Sequence, residues 1–407
     1  KSIMWKLILV ALVALATAEK VRYDNYKVFR VVPQTEEQVE VIRHLEEFSF
    51  WKEPNAIQHP ADVMVAPHKI PDFHETMKMF DIPYDVYVSD VQTLIDSEMP
   101  PAQPLATFDL NRYHTLDEIY AHLNDLAKAN PGKVQVIVGG KTHEGRQIKG
   151  VKLSFGKAKH GVVLEAGIHA REWIGPATIL YILNELLTSK NADVRALAES
   201  HDWYIFPVTN PDGFVYTHTS NRLWRKTRKP YGVLCYGSDP NRNWGYKWMS
   251  GGASNQPCSE TYAGSSAFSD IETKSLSEYL TSISSKFSAY IAFHSYSQLL
   301  MFPYGHTKQH LENYDDSVSR GLINLYRQRS LLSFIATYHF LLLDIASGSS
   351  MDWVKGTFHK PITFTYELRD TGRHGFVLPA DQIAPNSLET LDSLVAMFKE
   401  AKARGYE

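Results

Sequence analysis

The sequence predicts an α/β protein: a mixed, mostly parallel twisted sheet with helices on both faces, preceded by a smaller α+β module. Five short apolar runs lack polar alternation, which is typical of strands buried on both faces. They span residues 134–138, 162–166, 203–208, 289–293 and 362–366. Helical patterns flank them at residues 116–129, 173–188, 271–284, 311–328 and 388–402. Strands that alternate with helices favour a parallel sheet covered on both sides.

The smaller module comes first in the chain. Residues 25–32, 61–66 and 84–88 predict strands, and residues 35–48 and 71–80 predict helices. A stiff stretch with Pro100, Pro101 and Pro104 follows, and a proline-rich connector is typical of a domain boundary. Because 407 residues suit two domains, we expect one domain with its connector at residues 19–104 and a larger one at residues 105–407.

The first residues predict export from the cell. Lys6 precedes an apolar run at residues 7–16, and Ala16-Thr17-Ala18 has the small-x-small pattern of a signal peptidase site. Residues 1–18 are therefore interpreted as a cleaved signal peptide, and we expect a secreted, extracellular protein. The run is too short to span a bilayer, and no later run reaches that length.

Two cysteines agree with an oxidising compartment. Cys235 and Cys258 lie in one stretch rich in glycine, serine and asparagine, and their disulfide would close a surface loop. Their spacing fits neither a zinc ribbon nor a redox pair. The composition is that of a globular chain, with 44% hydrophobic residues and a net charge of −3. We accordingly expect a monomer that binds neither nucleic acid nor a membrane, although residues 222–229 form one basic run.

Polar side chains follow the carboxyl ends of three predicted strands, where such sheets bind their ligands. His169 and Glu172 come after residues 162–166, His294 directly follows residues 289–293, and Glu367 directly follows residues 362–366. A catalytic zinc takes three protein ligands, of which two histidines and one glutamate are an established set. The pair His169 and Glu172 taken alone could equally be a salt bridge. Two further observations favour the metal site. A second histidine, His294, lies at the end of another strand, and burying the Glu367 carboxylate would cost free energy unless it had a function.

Five segments occur in the order and spacing of a known family. They are residues 167–174 (GIHAREWI), 221–228 (NRLWRKTR), 241–244 (NRNW), 294–298 (HSYSQ) and 367–373 (ELRDTGR). Together they resemble the A/B-type zinc metallocarboxypeptidases over nearly the whole chain from about Leu105. The N-terminal module resembles the activation segment of these enzymes, beginning at residues 23–28 (YDNYKV). The resemblance implies a zymogen with a ferredoxin-like activation domain, one zinc ion per chain, an activating protease, and peptide or protein C-termini as substrates.

The resemblance also implies chemical roles for individual residues. His169, Glu172 and His294 would bind the zinc. Glu367 would be the general base that deprotonates the attacking water and carries the proton to the leaving amine. Arg225 would stabilise the oxyanion.

Further residues are matched to substrate binding. Asn241 and Arg242 would grip the terminal carboxylate of the substrate, which makes the enzyme an exopeptidase. Asp239 is matched to the carboxylate that orients His169, although it could instead be a turn former before Pro240. Residues matched to subsites further from the C-terminus are Arg171, Tyr296 and Phe376.

Specificity in this family is set at the bottom of the pocket for the last side chain. The resemblance places Met351 there, with Gly305 and Thr365 also of the apolar type, and it implies a preference for aromatic and aliphatic ends. Asp352 is not the specificity determinant in the family. Asp344, however, stands where the family has a substrate-clamping tyrosine, and residues 331–343 do not resemble the family.

Two other functions fit parts of the sequence. A catalytically silent secreted relative that binds peptides or a protein partner would explain Asp344. A zinc amidohydrolase shares the His-x-x-Glu pattern but would lack the activation segment and the Asn241-Arg242 pair.

Proteolytic maturation by a trypsin-like protease requires a Lys or Arg in the connector. No Lys or Arg lies between Lys78 and Arg112. We therefore expect a protease that is not trypsin-like, cutting near Met99, Leu105 or Phe108, or else a late cut at Arg112.

Overall fold

A computed structural model describes residues 20–45, 48–99, 108–158, 160–309 and 345–406. Several expectations fall outside these ranges. They are the signal peptide at residues 1–18, the prolines of the connector, the helix at residues 311–328 and the position of Asp344. Among the described residues, no helix combines the length and apolarity needed to cross a membrane.

The N-terminal module is a four-stranded antiparallel sheet with the strand order β2-β3-β1-β4. Helices α1 and α2 contribute Ile42, Phe73 and Met77 to its core, where Phe73 stacks on Phe29 of the sheet. The predicted strands and helices are all present, but strand β2 and helix α3 were not predicted. The elements are β1 (Lys27–Val31), α1 (Glu36–Arg43), β2 (Ser49–Lys52), β3 (Ala61–Val65), α2 (Ile70–Met79), β4 (Tyr84–Val88) and α3 (Val91–Glu98).

The larger unit follows from residue 108. Helix α4 begins where the sequence predicted, because Thr115 and Glu118 form a capping box around its first turn. The elements are α4 (Leu116–Ala129), β5 (Val134–Lys141), β6 (Gln147–Leu153), β7 (His160–Ala166), α5 (Ile174–Thr188), α6 (Ala192–Ser200), β8 (His201–Phe206), α7 (Pro211–Thr219), α8 (Ile271–Ser282), β9 (Phe287–Ser295), β10 (Leu299–Met301), α9 (Ser350–Phe358), β11 (Ile362–Leu368) and α10 (Ile383–Ala403).

The seven strands form one mixed sheet with the order β10-β11-β9-β7-β8-β6-β5. The four central strands, β11, β9, β7 and β8, are parallel, as predicted. The outer pairs β10/β11, β5/β6 and β6/β8 are antiparallel, so the parallel character is confined to the centre. Strands β6 and β10 escaped prediction because β6 mixes polar and buried residues and β10 has three residues.

Both faces of this sheet are covered, which confirms the predicted layers. Helices α4, α5 and α10 close one face with residues such as Leu123, Leu183 and Leu394. Helices α8 and α9 close the other with Leu280 and Trp353. The predicted disulfide between Cys235 and Cys258 is present and closes a loop of sequence separation 23.

Candidate active site

The parallel strands bring the predicted metal ligands to one edge of the sheet. Glu367 of β11 is the register partner of His294 in β9, and β9 also pairs with β7, after which His169 and Glu172 follow. Gly167 makes the turn out of β7 with a φ of 64°, in the left-handed region that suits glycine. The three ligand residues are buried, with exposed fractions of 2 to 4%.

The ligand atoms converge on one point. Nδ1 of His169 lies 2.8 Å from Oε1 of Glu172 and 3.1 Å from Nδ1 of His294. Nδ1 of His294 lies 3.3 Å from Oε2 of Glu172. Ligands about 2.1 Å from a tetrahedral zinc stand roughly 3.4 Å apart, so these separations suit a single small cation.

The electrostatics of the cluster also fit a cation. Oε2 of Glu172 is buried and faces Nδ1 of His294 at 3.3 Å. The charges of both histidines outweigh burial and hold the pKa of Glu172 far below its usual range. Burial lowers the pKa of His294, but the charge and hydrogen bond of Glu172 outweigh it and raise that pKa to about 9. A carboxylate and two imidazoles that attract positive charge in a water-poor site are a fitting donor set for zinc.

Asp239 lies behind the candidate metal site and is fully buried. Its Oδ1 accepts from Nε2 of His169 at 3.1 Å and from the backbone N–H of Asn241 at 2.8 Å. Its Oδ2 accepts from Nη2 of Arg225 at 2.8 Å. The charges of Arg225 and His169 outweigh burial and hold the pKa of Asp239 well below its usual range. The backbone N–H of Arg242 also bonds to the Asp239 carbonyl, so the same residue forms the turn before Pro240.

Glu367 was expected to be buried because it follows an apolar strand. It is only partly buried, because its side chain faces the cavity. Partial burial and the charge of Glu172 raise its pKa to about 8, against the opposing charges of His294, Arg225 and Lys52. A carboxyl group with a pKa near neutrality can both take up and release a proton.

One cavity of about 750 Å³ connects these groups. Its lining includes His169, Glu172, Arg225, Asn241, Arg242, His294, Tyr296, Met351, Thr365, Glu367 and Phe376. The side-chain oxygen of Asn241 accepts from the N–H of Ser350 at 3.0 Å, which leaves its amide nitrogen for a ligand. Nε of Arg242 donates to the Gly252 carbonyl at 2.9 Å.

The apolar end of the cavity is built around Met351. This side chain is 3% exposed, and the Thr365 hydroxyl donates to its sulfur at 3.3 Å. Asp352 is fully buried and does not line the cavity. Its carboxylate accepts from the backbone N–H groups of Gly305 and His306 at 2.8 and 3.0 Å, and neither of these residues lines the cavity.

Of the three residues matched to more distant subsites, two line the cavity and one does not. Tyr296 and Phe376 line the cavity, with ring centroids 5.1 Å apart. Arg171 does not line it. Its guanidinium packs on the Phe376 ring at 4.0 Å, and Nη2 lies 3.5 Å from the carbonyl of Phe50 in the N-terminal module.

The sequence did not predict that the N-terminal module forms part of the cavity wall. Residues 51–55 line it, and the Trp51 and Phe376 ring centroids are 5.6 Å apart. These residues belong to or follow β2, a four-residue edge strand without a clear hydrophobic alternation. Lys52, next to Trp51, lies close enough to Glu367 for their charges to interact. Nothing in the local sequence predicts this proximity, because it arises only when the two units pack together.

The parallel centre of the sheet presents a His, Glu and His cluster, a nearby carboxylate, Arg225 and Arg242 to one cavity, an arrangement typical of a metallopeptidase site. A family model described as zinc carboxypeptidase matches residues 119–393, and one described as carboxypeptidase activation peptide matches residues 29–98. The chain therefore belongs to the zinc carboxypeptidase family, as the sequence motifs predicted, and carries an activation peptide.

Individual relatives agree with this assignment. The chain is 47% identical to zinc carboxypeptidase A 1 of Anopheles gambiae, over 98% of this chain and 95% of that protein. It is 37% identical to carboxypeptidase A1 of Homo sapiens, over 94% of this chain and 96% of that protein. The crystal structure of carboxypeptidase A from Helicoverpa armigera has a TM-score of 0.83 at 28% identity, covering 96% of this chain and all of that one (100%).

Proposed function

We propose that this chain is a secreted zymogen whose activated form removes aromatic or aliphatic residues from peptide C-termini, using one zinc ion per chain. The observation that carries the proposal is the arrangement of one cavity. It joins the His169, Glu172 and His294 cluster to Asn241 and Arg242, and then to the apolar Met351. A substrate with a terminal carboxylate and an apolar last side chain complements that order of groups.

His169, Glu172 and His294 would hold the zinc. When bound, it supplies a Lewis acid that polarises the scissile carbonyl and makes water a better nucleophile. Asp239 keeps the ring of His169 in position through its bond to Nε2.

Glu367 accepts the proton of the attacking water and passes it to the nitrogen of the leaving residue, so that the C–N bond breaks as a neutral amine departs. Its raised pKa suits both steps. Arg225 donates hydrogen bonds to the oxygen that becomes negative as the carbonyl is attacked. Its bond to Asp239 at 2.8 Å holds the guanidinium in place.

Asn241 and Arg242 bind the terminal carboxylate of the substrate. Arg242 can offer parallel N–H donors to a planar anion, which an internal peptide bond cannot satisfy. Its existing partner, Asp239, is 3.9 Å away, so a substrate without a free C-terminus would leave Arg242 without a close anion in the cavity. We therefore propose exopeptidase activity.

The activation segment explains latency in the same terms. Because residues 51–55 form part of the cavity wall, a peptide cannot occupy that space while the segment is docked. A buried ion pair between Glu98 and Arg222 fixes the last helix of the segment, with Nε of Arg222 at 2.6 Å from Oε2 of Glu98. Secretion rests on the predicted signal peptide and agrees with the disulfide.

The test is hydrolysis of a peptide with a C-terminal Phe by the activated enzyme, with and without a chelator. We expect activity that the chelator abolishes and added zinc restores. Glu172→Gln should lower the bound zinc per chain, whereas Glu367→Ala should retain zinc and lose most turnover. Chelator-resistant hydrolysis would contradict the metal assignment. Zinc binding without hydrolysis would favour the silent peptide-binding relative.

A further inference from the structure

A buried carboxylate lies beneath the cavity and has no part in the proposed chemistry. Glu165 of β7 is 1% exposed and sits between Phe206 of β8 and Ala292 of β9 in the sheet register. It occurs in the run Gly-Val-Val-Leu-Glu-Ala at residues 161–166, where every neighbour is small or apolar. A buried carboxylate in such a setting is costly unless its oxygens are hydrogen-bonded.

Three hydroxyl groups, from a strand, a helix and a loop, lie within hydrogen-bond distance of this carboxylate. Tyr290 of β9 donates to its Oε1 at 3.0 Å, and Ser350, the first residue of α9, donates to the same oxygen at 3.2 Å. Thr209, beyond the end of β8, lies 3.1 Å from Oε2. Burial and the charge of Glu165 raise the pKa of Tyr290 well above its ordinary value, so its hydroxyl stays protonated and donates.

Ser350 connects this carboxylate to the substrate cavity. Its hydroxyl is bonded to Glu165, while its backbone N–H donates to the side-chain oxygen of Asn241 at 3.0 Å. The next residue is Met351, at the apolar end of the cavity. The start of α9 therefore sets the orientation of the Asn241 amide and the position of the Met351 side chain in the cavity. The hydrogen bond between Ser350 and Glu165 attaches this end of the helix to the sheet.

We propose that Glu165 is a positioning residue that holds Ser350, and through it Asn241 and Met351, in the geometry that binds the C-terminal residue of the substrate. This inference rests on the proposed function for its substrate. Among the described residues, Glu165 makes no hydrogen bond to the proposed metal ligands or to Glu367. Its charge contributes less to the raised pKa of His294 than the charges of Glu172 and Glu367 do. We therefore expect its main effect on substrate binding.

The test is Glu165→Gln, which keeps the size of the side chain and removes its charge. We expect KM for a peptide with C-terminal Phe to rise about tenfold, with kcat changed by less than about twofold. The affinity for 3-phenylpropanoate, measured calorimetrically on the activated enzyme, should fall by a similar factor. That second readout does not depend on turnover.

Two further variants separate positioning from general damage. Ser350→Ala removes only the hydroxyl that reaches Glu165, whereas Glu165→Gln keeps an oxygen that can still accept from this hydroxyl and only weakens the bond. The double variant should be no worse than Ser350→Ala alone, since the hydroxyl through which Glu165 acts is then absent. Asp212→Asn is the matched control, because Asp212 is also a buried carboxylate and its partners Thr142, Glu144 and Arg146 lie outside the cavity. It should lower stability without raising KM.

Either of two results would overturn the inference. One is an unchanged KM and 3-phenylpropanoate affinity in Glu165→Gln, and the other is a fall in kcat with KM unchanged. If the unmutated enzyme hydrolyses no peptide, the proposed function fails instead, and 3-phenylpropanoate binding still tests the role of Glu165.

Discussion

The hydroxyl of Tyr296 donates a 2.7 Å hydrogen bond to the carboxylate of Asp62, joining a wall of the substrate cavity to the activation segment. Asp62 is fully buried and also accepts two bonds from Arg30, at 2.7 and 2.8 Å. Arg30 in turn donates to the carbonyl of Thr371 at 2.8 Å. The segment is thus attached through a continuous polar contact as well as through apolar packing.

Asp62→Asn should weaken the docking of the activation segment. It leaves Arg30 without its buried counter-charge, at a cost of roughly 2 kcal/mol. We expect the uncleaved precursor to hydrolyse a small C-terminal Phe reporter measurably faster than the unmutated precursor does.

The activated enzyme provides the internal control, because it no longer contains residue 62 and should be unaffected. Asp72→Asn is the matched variant, since Asp72 pairs with Lys69 on the exposed surface of the same segment. An equally silent precursor in Asp62→Asn would show that this contact does not hold the segment in place.

Met351 should set the preference for the last residue of the substrate. A Lys side chain would bring an unpaired cation against a thioether, which is unfavourable in a buried pocket. We expect kcat/KM for C-terminal Phe, Tyr or Leu to exceed that for Lys by at least about a hundredfold. Met351→Asp should erode this ratio.

The nearby Asp352 makes the specificity experiment sharper. Its carboxylate is buried outside the cavity and accepts from the backbone of Gly305 and His306, so Asp352→Asn should lower stability without creating a preference for Lys. Equal cleavage of Lys and Phe ends by the unmutated enzyme would mean that Met351 does not form the end of the pocket.

Glu272 should make stability depend on pH. Burial raises its pKa from 4.5 to about 7, helped by the charges of Asp270 and Asp212 and opposed by the N–H of His143. Because the folded-state pKa lies above the unfolded one, this contribution to the free energy of unfolding is complete below the ordinary pKa of 4.5 and is lost as the pH rises through about 7. Glu272→Gln should remove that loss.

The measurement is chemical unfolding at two pH values. Relative to the unmutated chain, Glu272→Gln should gain roughly 2 kcal/mol between about pH 5 and about pH 8. Glu278→Gln, an exposed change on the same helix, should show no such gain. A pH-independent effect of Glu272→Gln would contradict the raised pKa.

Maturation by trypsin should fail at the boundary between the two units. Lys78 lies within α2, and Arg112 is paired with Glu118. Phe108 is stacked between His114 and His122, with ring centroids at 3.7 and 3.8 Å, so cleavage by a chymotrypsin-like protease there is also disfavoured. We expect limited trypsin digestion of the folded precursor to give no product that begins within residues 79–113.

N-terminal sequencing after digestion with trypsin, and separately with an elastase-like enzyme, decides the matter. The elastase-like enzyme should release an active product that begins between residues 100 and 108, in the connector that the sequence predicts between the two domains. An active trypsin product that begins at Tyr113 would show that the Arg112–Glu118 pair does not protect this bond.

Much of this site could be predicted from the sequence because its residues lie at strand ends. His294 and Glu367 directly follow apolar runs, and parallel strands place their carboxyl ends at one edge. The apolar runs also predicted the central strands of the sheet. They did not predict β6 or β10, since a half-exposed strand and a three-residue strand have little hydrophobic pattern.

What escaped prediction depends on contacts between distant parts of the chain. Trp51 and Lys52 gain their significance only when the activation segment covers the cavity, and no local pattern encodes that docking. Arg171 was matched to the substrate subsites, but the structure turns its guanidinium onto the ring of Phe376. Glu165 did leave a trace, as a lone carboxylate in an apolar strand, which is a signal of a buried polar partner set.

Asp239 unites functions that could have been separate. One carboxylate holds His169, Arg225 and the backbone of Asn241. Any substitution there would disturb the proposed metal ligand, the proposed oxyanion donor and the proposed carboxylate-binding residue together. The side chain of Met351 makes no hydrogen bond to Asp239; its sulfur accepts from the Thr365 hydroxyl instead. The residue at position 351 can therefore be exchanged without breaking the three bonds to the Asp239 carboxylate, whereas a substitution of Asp239 removes all three at once.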